Sequence, residues 1–322
     1  MSPVDEIKTM KLYTHMERVY KELEELHLND DSNDENKNRK KRRLLDPVTL
    51  SSIDSLHYCG NEAIHNAIQA AHITSEHVVC DIGSGLGGPA RMLAHYTHCR
   101  VHAYELQADL HATAQVLTRR CGMEAQVSHI QGDFLQQDIR NGAYDTIVSW
   151  LAFLHIKDRT ALFTKCGNVL KPDGLMYVED FILRDHAHFT DGEQTLLAKE
   201  VYVNHPLPTV HVLEQELANA GFALVQVCDM TDTWTQFVND RYTAYQANYA
   251  RHERVHGSDG ARDLLSFFGS MVHLFQAGHL GGVAYMARRK RQQEASAVVV
   301  TAARVSPSTS SSSTTSNSCN NE

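Results

Sequence analysis

A glycine-rich turn that follows an acidic strand is the stretch of this sequence best suited to chemistry. Asp81 lies within the apolar run 78–82, and the turn after it contains Gly83, Ser84, Gly85, Gly87 and Gly88. Glycine has no Cβ and tolerates positive φ, so the backbone amides of such a turn can approach a ligand closely. Because a helix is expected to begin at Pro89, the pattern predicts a cofactor-binding loop between a strand and a helix.

The spacing of these glycines fits two different patterns. Gly83, Gly85 and Gly88 satisfy G-x-G-x-x-G, the dinucleotide fingerprint. With Asp81 and the doubled glycine included, the same stretch also fits D-x-G-x-G-x-G-G. Glu105 ends the next predicted strand, where a carboxylate can accept both hydroxyls of a ribose in either kind of site. The turn and this acid therefore leave two cofactor classes open.

The elements that position the turn alternate between strand and helix. Strands are predicted over 101–104, 125–130, 144–149, 175–179, 222–227 and 282–288, and helices over 108–120, 159–170, 213–220, 235–254 and 264–275. This alternation predicts an α/β fold with a mostly parallel sheet. The segment 183–208 breaks the rhythm, and we interpret it as an insertion on the ligand side.

Three regions are expected along the chain. Residues 1–53 combine an amphipathic helix over 12–28 with a charged segment, 29–43, that has no apolar residue and is predicted to be disordered. Residues 54–290 form the catalytic domain. Residues 291–322 are rich in Ser and Thr and are also predicted to be disordered.

Composition excludes several classes of function. A net charge of −9 and a pI near 6.1 argue against broad binding to nucleic acid or to anionic membranes. No apolar run approaches the roughly 20 residues of a membrane span, and the first residues do not resemble a secretory signal, so a cytoplasmic protein is expected. The cysteines form no C-x-x-C pair, and no metal-binding pattern is present among the histidines, so no metal is predicted. No oligomeric state is predicted.

Further motifs resolve the choice of cofactor. Gln131-Gly132-Asp133-Phe134 follows the third predicted strand, Asp145 lies near the start of the fourth, and Leu170-Lys171-Pro172-Asp173-Gly174 precedes the fifth. Together with the glycine turn and Glu105, these motifs resemble class I S-adenosylmethionine (SAM) methyltransferases in order and spacing, over about residues 55–288. The resemblance implies a Rossmann-like seven-stranded sheet whose last strand is antiparallel.

The resemblance also implies a set of cofactor contacts. SAM is the expected cofactor, with Asp133 at the adenine amine and Phe134 against the ring. The full set of expected contacts is Asp81, Gly83, Ser84, Gly85, Gly87, Gly88, Glu105, Leu106, Gly132, Asp133, Phe134, Ser149 and Trp150.

His155 is the predicted catalytic residue. It follows the fourth strand, where members of this family place the reacting centre, and in phosphoethanolamine and related small-amine methyltransferases a histidine at this place works with an N-terminal tyrosine. Histidine titrates in the useful range for a base or proton relay. The structural alternative is that His155 caps the next helix. Tyr13 is the predicted partner, with Tyr58 as a second candidate.

The acceptor is predicted to be a small amine or an amino-acid-like molecule. The segment from Asp54 to Gly60 resembles D-Q-x-H-x-x-G of sarcosine/dimethylglycine-type methyltransferases, although Ser55 replaces the glutamine. Phe181 and the segment 204–208 depart from the phosphobase pattern, which counts against phosphoethanolamine itself. Three aromatic residues, Trp150, Phe153 and Tyr202, could surround an amine by cation–π attraction. The predicted substrate contacts are Tyr58, Trp150, Phe153, Asp180 and Tyr202.

Two other hypotheses remain open at this stage. Sterol and tocopherol C-methyltransferases share G-x-G-x-G-G-P, the apolar stretch 264–275 could receive a lipid, and Glu179 and Asp180 could supply carboxylates near the methyl group. The third hypothesis is a SAM-fold binding protein without turnover.

Overall fold

A single mixed sheet forms the centre of the molecule. The computed structural model describes residues 17–25 and 44–291, so the charged segment 29–43, the tail beyond 291 and Tyr13 lie outside the described residues. The strands are β1 (Val78–Ile82), β2 (Arg100–Glu105), β3 (Val127–Gln131), β4 (Tyr144–Trp150), β5 (Leu170–Leu183), β6 (Phe222–Asp229) and β7 (Leu280–Arg289).

The order of the strands confirms the fold expected from the sequence. Seven strands pair in the order β3-β2-β1-β4-β5-β7-β6. β1 to β5 run parallel, and β7 is antiparallel to both of its neighbours. From β1 the chain adds β2 and β3 on one side of the sheet, and then returns to add β4 on the other side of β1. The carboxyl ends of β1 and β4 therefore border the crevice where open α/β sheets bind ligands.

The helices that cover the sheet are α1 (Glu17–Glu25), α2 (Pro47–Asp54), α3 (Gly60–Ala70), α4 (Gly88–Thr97), α5 (Ala108–Arg120), α6 (Arg159–Val169), α7 (Asp191–Leu196), α8 (Val210–Asn219), α9 (Thr231–Ala247), α10 (Tyr249–His256) and α11 (Ser258–Gln276). The helix predicted over 235–254 is two helices, which meet at Asn248. In the described part of the chain, no helix combines the length and the apolarity needed to cross a membrane.

Local signals explain where several elements begin. Gly87 precedes α4 with φ of 75°, and Pro89 follows in the first turn, where its missing N–H is not needed. Asp158 caps α6 by accepting a hydrogen bond from the amide of Ala161 at 2.9 Å. Thr190 and Glu193 form a capping box at α7.

The predicted turn before the fifth strand is a bulge inside β5. Tyr144 of β4 lies opposite Leu170 and Thr146 lies opposite Leu175, so the four residues 171–174 stand against the single residue Asp145. Asp173 has φ of 62°, which takes the backbone out of the extended region there. The bulge lets β5 continue beyond its first pair with β4 and reach the ligand side of the sheet.

Apolar residues pack on both faces of the sheet and above one end of it. On one face, Leu50 and Leu93 pack in a cluster that also includes Val19 and Leu23 of α1. A second cluster on the other face includes Phe163 and Phe222. A third cluster, which we call the cap, contains Tyr58, Leu154, Phe181, Leu197, Val201, Val203, Leu207, Trp234, Val238, Tyr245, Leu264, Phe267, Phe268, Met271, Leu274, Phe275 and Leu280.

Ion pairs join α1 to α10. Glu22 accepts two hydrogen bonds from Arg251, at 2.9 and 2.6 Å, and one contact of 2.7 Å joins it to Nε2 of His256. Ligand-type atoms of Glu22, His252 and His256 lie within 4.8 Å of one another, a grouping that the sequence did not predict. Because Arg251 already binds the Glu22 carboxylate through both oxygens, we interpret the group as a contact between helices.

A buried ion pair connects α2 to α4. Arg91 pairs with Asp54, and both side chains are 1% exposed. Arg91 also donates to the carbonyl of Leu86 at 2.7 Å and to the hydroxyl of Thr118 at 2.9 Å. Burial raises the pKa of Asp54, and Arg91 opposes that rise by stabilising the charged form. The pair therefore ties the glycine turn to α2 and α5.

Removal of Asp54 is expected to destabilise the protein strongly. Asp54→Ala leaves the guanidinium of Arg91 buried without its counter-ion, and this kind of change costs about 3–5 kcal/mol in the free energy of unfolding. Asp259→Ala is the matched control, because Asp259 pairs with Arg262 at the surface and should contribute less than about 1 kcal/mol. Urea denaturation measures both. Equal, small losses for the two variants would contradict a structural role for the buried pair.

Candidate active site

A cavity of about 480 Å³ lies beyond the carboxyl ends of β1, β2 and β4. One part is bordered by the glycine turn and by the ends of β2 and β3, and the other part extends under the cap. Its lining includes Asp54, Leu56, His57, Tyr58, Asp81, Gly83, Ser84, Gly85, Glu105, Leu106, Gly132, Asp133, Phe134, Trp150, Leu151, Ala152, Leu154, His155, Phe181, Val201, Tyr202, Asn204, His205, Arg241, Phe267 and Met271.

The glycine turn fits closely between its neighbours. Gly83 has φ of 75°, and a Cβ at this position would lie 2.3 Å from the Cβ of Ala152. The amides of Gly83 and Ser84 both donate to the carbonyl of Tyr104 at 2.9 Å. The amide of Gly85 donates to Oε2 of Glu105 at 2.8 Å. Glycine is required at position 83 because any side chain would collide with the loop after β4.

Asp81 is a buried acid with an unsatisfied oxygen. Its side chain is 1% exposed, and Oδ2 has no hydrogen-bond partner; the hydroxyl of Ser84 also has none. Burial, reinforced by the nearby charge of Glu105, raises the pKa of Asp81 to about 8. A buried acid and hydroxyl without partners favour a ligand that brings a cation and hydrogen-bond donors to this end of the cavity.

The carboxyl ends of β2 and β3 present two further acids. Glu105 accepts hydrogen bonds from the amides of Gly85 and Gln107, each at 2.8 Å, and burial raises its pKa. Each carboxylate oxygen keeps lone-pair capacity for a ligand hydroxyl. Asp133 accepts from the amide of Leu135 at 2.9 Å, and Phe134 packs edge-on against Tyr104. This arrangement suits a ribose beside Glu105 and a flat ring beside Phe134.

His155 lies in the short helical turn Phe153–His155 that follows β4. Burial lowers its pKa to about 4, although a hydrogen bond with the backbone of Tyr202 acts in the opposite direction. Nδ1 of His155 is buried and has no partner. A neutral ring that donates to the Tyr202 carbonyl presents its other nitrogen as an acceptor. His155 is therefore uncharged at neutral pH and can receive a hydrogen bond from a ligand.

The cap encloses the other part of the cavity with mostly apolar residues and one arginine. Arg241 of α9 stacks on the rings of Tyr58, Phe237 and Phe268, at 5.0, 5.1 and 4.5 Å from their centroids. Burial lowers the pKa of Arg241, and the Tyr58 hydroxyl acts against that change. Burial also raises the pKa of Tyr58 to about 12, so its hydroxyl stays protonated.

Most of the residues predicted from the sequence line this one cavity. Among the described residues, those that do not are packed just outside it, and they are Gly87, Gly88, Ser149, Phe153 and Asp180. The predicted partner Tyr13 lies outside the described residues. A Cβ on Gly87 would meet His129, and one on Gly88 would lie 2.8 Å from Oδ1 of Asp54. The hydroxyl of Ser149 donates to the carbonyl of Ile82 at 2.8 Å, which holds β4 against β1.

The predicted aromatic group is divided by the structure. Trp150 and Tyr202 line the cavity, whereas Phe153 is buried against Phe163 beneath the sheet. Asp180 binds the protein backbone through the amides of Leu154 and Phe181, at 2.7 and 2.8 Å. Its role in the structure is to hold the loop that carries His155.

The sequence did not identify the residues that the cap adds to the site. Arg241, Phe267 and Met271 come from α9 and α11, and His205 comes from the insertion. No motif marks them, because they reach the cavity only through the packing of helices far apart in the chain. The sequence contained one signal for Arg241. It lies among aromatic residues in the stretch 237–245, so its side chain could be expected to pack between rings.

Comparison with known proteins identifies the fold. Residues 79–174 match the family model of a methyltransferase domain. The structure resembles a phosphoethanolamine N-methyltransferase of Haemonchus contortus in complex with phosphomonomethylethanolamine and S-adenosylhomocysteine (TM-score 0.73, 17% identity, 90% of this chain and 61% of that one). It also resembles a protein described as a sarcosine dimethylglycine methyltransferase from Galdieria sulphuraria (TM-score 0.63, 18% identity, 71% of this chain and 84% of that one). The chain contains a class I SAM-dependent methyltransferase domain.

Relatives found by sequence carry a different acceptor in their names. The chain is 29% identical over 176 residues to the sterol 24-C-methyltransferase of Eremothecium gossypii, covering 52% of this chain and 46% of that protein. It is 26% identical over 171 residues to that of Saccharomyces cerevisiae, covering 52% and 45%. The matched stretch thus spans about half the length of these relatives.

SAM, the cofactor of this methyltransferase domain, fits the cavity. The unpartnered Oδ2 of Asp81 and hydroxyl of Ser84 suit the amino-acid end, Glu105 suits the ribose, and Asp133 with Phe134 suits the adenine. These assignments rest on the donor and acceptor groups that the cavity presents, and the individual contacts with SAM stay predictions.

Binding of S-adenosylhomocysteine, the demethylated cofactor, is expected to release a proton from Asp81. With a pKa of about 8, Asp81 is mostly protonated at pH 7 before binding. The ammonium group of the ligand favours the carboxylate and lowers that pKa, so up to about one proton leaves. Calorimetry at pH 7 in buffers of different ionisation enthalpy measures this release. Asp81→Asn should abolish it and Glu216→Gln, outside the cavity, should retain it; a buffer-independent heat for the unaltered protein would contradict the assignment.

Proposed function

We propose that this chain is a SAM-dependent N-methyltransferase whose acceptor is a small amine. The observation that carries the proposal is the neutral His155, with Nδ1 unpartnered, in an enclosed part of the cavity lined by Trp150 and Tyr202. An amine attacks only when its lone pair is free, and a neutral imidazole can hold one of its N–H groups while the lone pair points elsewhere.

The residues of the site act mainly by positioning. When bound, SAM supplies a methyl group activated by its sulfonium. His155 orients the acceptor nitrogen, and Trp150 and Tyr202 exclude water and accommodate the positive charge that the nitrogen gains. Because burial keeps the pKa of His155 near 4, it acts as a hydrogen-bond acceptor more than as a strong base, and the amine must react in its neutral form.

The size of the cavity supports a small acceptor. Drug-sized ligands fill pockets of about 300–1,000 Å³, and SAM is itself a ligand of that size. A cavity of about 480 Å³ that holds SAM leaves room for a small second molecule. The cap residues would have to move for a lipid to enter.

C-methylation of a sterol is the second candidate, and the sequence relatives favour it. Such a reaction places positive charge on carbon, which nearby carboxylates would stabilise. Glu179 and Asp180 are the acids available, but neither lines the cavity: Glu179 accepts a hydrogen bond from the hydroxyl of Tyr177 at 2.7 Å, and Asp180 binds backbone amides. The enclosed Arg241 would also oppose a carbocation close to it.

Methyl transfer to separate acceptor panels tests the proposal. With radiolabelled SAM, we expect incorporation into a panel of small primary, secondary and tertiary amines, and none into a panel of sterols and other lipids. Incorporation only into the lipid panel would support the sterol candidate and overturn the first. Binding of S-adenosylhomocysteine without transfer to either panel would favour a SAM-binding protein without turnover.

Replacement of His155 is expected to slow methyl transfer without weakening cofactor binding. His155→Asn should lower kcat about 100-fold, the usual scale for a positioned proton acceptor, and leave the affinity for S-adenosylhomocysteine unchanged. For the unaltered enzyme, kcat should fall below about pH 5, as the ring with its pKa of about 4 becomes protonated. His211→Asn, on the exposed side of α8, is the matched control. A kcat within twofold of the control would remove His155 from the chemistry.

A further inference from the structure

Arg241 is a cation under the cap whose charge no acid balances among the residues that the structure describes. Its guanidinium lies between the rings of Tyr58, Phe237 and Phe268, and it borders the cavity. Burial has the largest effect on its pKa, and the described groups that also influence it are Tyr58 and Cys59, neither of which is a carboxylate. A cation removed from water without a counter-ion is costly, so the arrangement favours a negative group beside Arg241 that the described residues do not supply.

Two hydrogen-bond donors of Arg241 point to the kind of anion. Nε and the terminal nitrogen Nη2 are buried and have no hydrogen-bond partner within residues 17–25 and 44–291. These two nitrogens lie on the same edge of the planar guanidinium, where two parallel N–H groups match the two oxygens of a carboxylate. Tyr58 provides the remaining polar contact.

The other charged residues along the cavity do not balance Arg241. Asp54 is paired with Arg91, and the acids Asp81, Glu105 and Asp133 lie along the part of the cavity that suits SAM. Lys157 and Asp158 also line the cavity and are both exposed. His155 and His57 are uncharged at neutral pH, because burial lowers the pKa of each to about 4.

We propose that Arg241 binds the carboxylate of the methyl acceptor, so that the acceptor is an amine that also carries a carboxylate. This inference rests on the proposed N-methyltransferase function and names its substrate class. One guanidinium balances one negative charge, which suits a carboxylate better than a phosphate dianion. The amine end of such a molecule then lies toward His155, and its carboxylate is held under the cap.

The position of Arg241 favours the acceptor over the carboxylate of SAM itself. Arg241 belongs to α9 and packs with Tyr58 and Phe268, both members of the cap. The amino-acid end of SAM is assigned to Asp81 and Ser84 at the glycine turn, below the cap. The affinity of an Arg241 variant for the cofactor therefore distinguishes a carboxylate of the acceptor from the carboxylate of SAM.

Binding of three matched probes tests the assignment without turnover. Betaine, choline and phosphocholine share a quaternary ammonium group and carry a carboxylate, a hydroxyl and a phosphate, respectively. Calorimetry with S-adenosylhomocysteine present should show betaine binding about 10- to 100-fold more tightly than choline, as expected for a charge-assisted hydrogen-bond pair. Arg241→Gln should remove that difference. Arg241→Lys, which keeps the charge but not the paired donors, should restore only part of it.

Arg262→Gln is the matched control, because Arg262 is an exposed arginine paired with Asp259 on the neighbouring α11. It should retain the preference for betaine. Thermal unfolding and the affinity for S-adenosylhomocysteine, measured for every variant, report whether Arg241→Gln folds and holds the cofactor. The proposal is supported if Arg241→Gln loses the preference for betaine over choline while it keeps its unfolding temperature and its affinity for S-adenosylhomocysteine.

Other results would overturn the assignment in identifiable ways. Phosphocholine bound more tightly than betaine, and dependent on Arg241, would make the ligand a phosphate. A selective loss of cofactor affinity in a folded Arg241→Gln would assign the carboxylate to SAM. Equal binding of betaine and choline would leave Arg241 only a packing role. If betaine binding depends on Arg241 but no amine is methylated, the anion site stands and the proposed reaction fails.

Discussion

The hydrogen bonds of Arg91 are the interaction on which the site depends. One guanidinium pairs with Asp54 at the end of α2, with the carbonyl of Leu86 in the glycine turn, and with Thr118 of α5. Thr118 in turn contacts Nε2 of His129 on β3 at 2.7 Å. The segment that follows Asp54 leads to His57 and Tyr58, so this network sets the position of the cavity wall as well as that of the turn. A buried charge is tolerated here because its partners satisfy it.

Arg91 and Arg241 show how the same residue type can serve different purposes. Arg91 has an acid and several oxygens around its donors, and its charge is balanced inside the protein. Arg241 has three aromatic rings and two donors without partners. A satisfied buried cation belongs to the framework, whereas an unsatisfied one beside a cavity favours a ligand. Burial by itself does not distinguish these two cases, whereas the hydrogen-bond and ion-pair partners of each guanidinium do.

The sequence predicted the sheet, and most of the residues it proposed for the cofactor lie along one cavity. Both predictions depend on short-range patterns. The alternation of strands and helices, and the spacing of Asp81, Glu105 and Asp133, are visible within each βα unit. It missed α2, the bulge at 171–174 and the break at Asn248, which depend on packing between distant segments. Phe153 was expected in an aromatic group because it adjoins His155, but the helical turn directs it into the core.

The two halves of the cavity lie in different parts of the chain. The methyltransferase family match covers 79–174 and therefore ends before β5 reaches the cap. Phe181, Tyr202 and Arg241, which enclose the acceptor part, all lie beyond that stretch. Similarity within the matched region speaks for how SAM is held, since the turn and the acids at the strand ends lie there. On the proposed function, the acceptor meets side chains that the insertion, α9 and α11 contribute, so we weigh their charge and shape beside the names of relatives matched over about half their length.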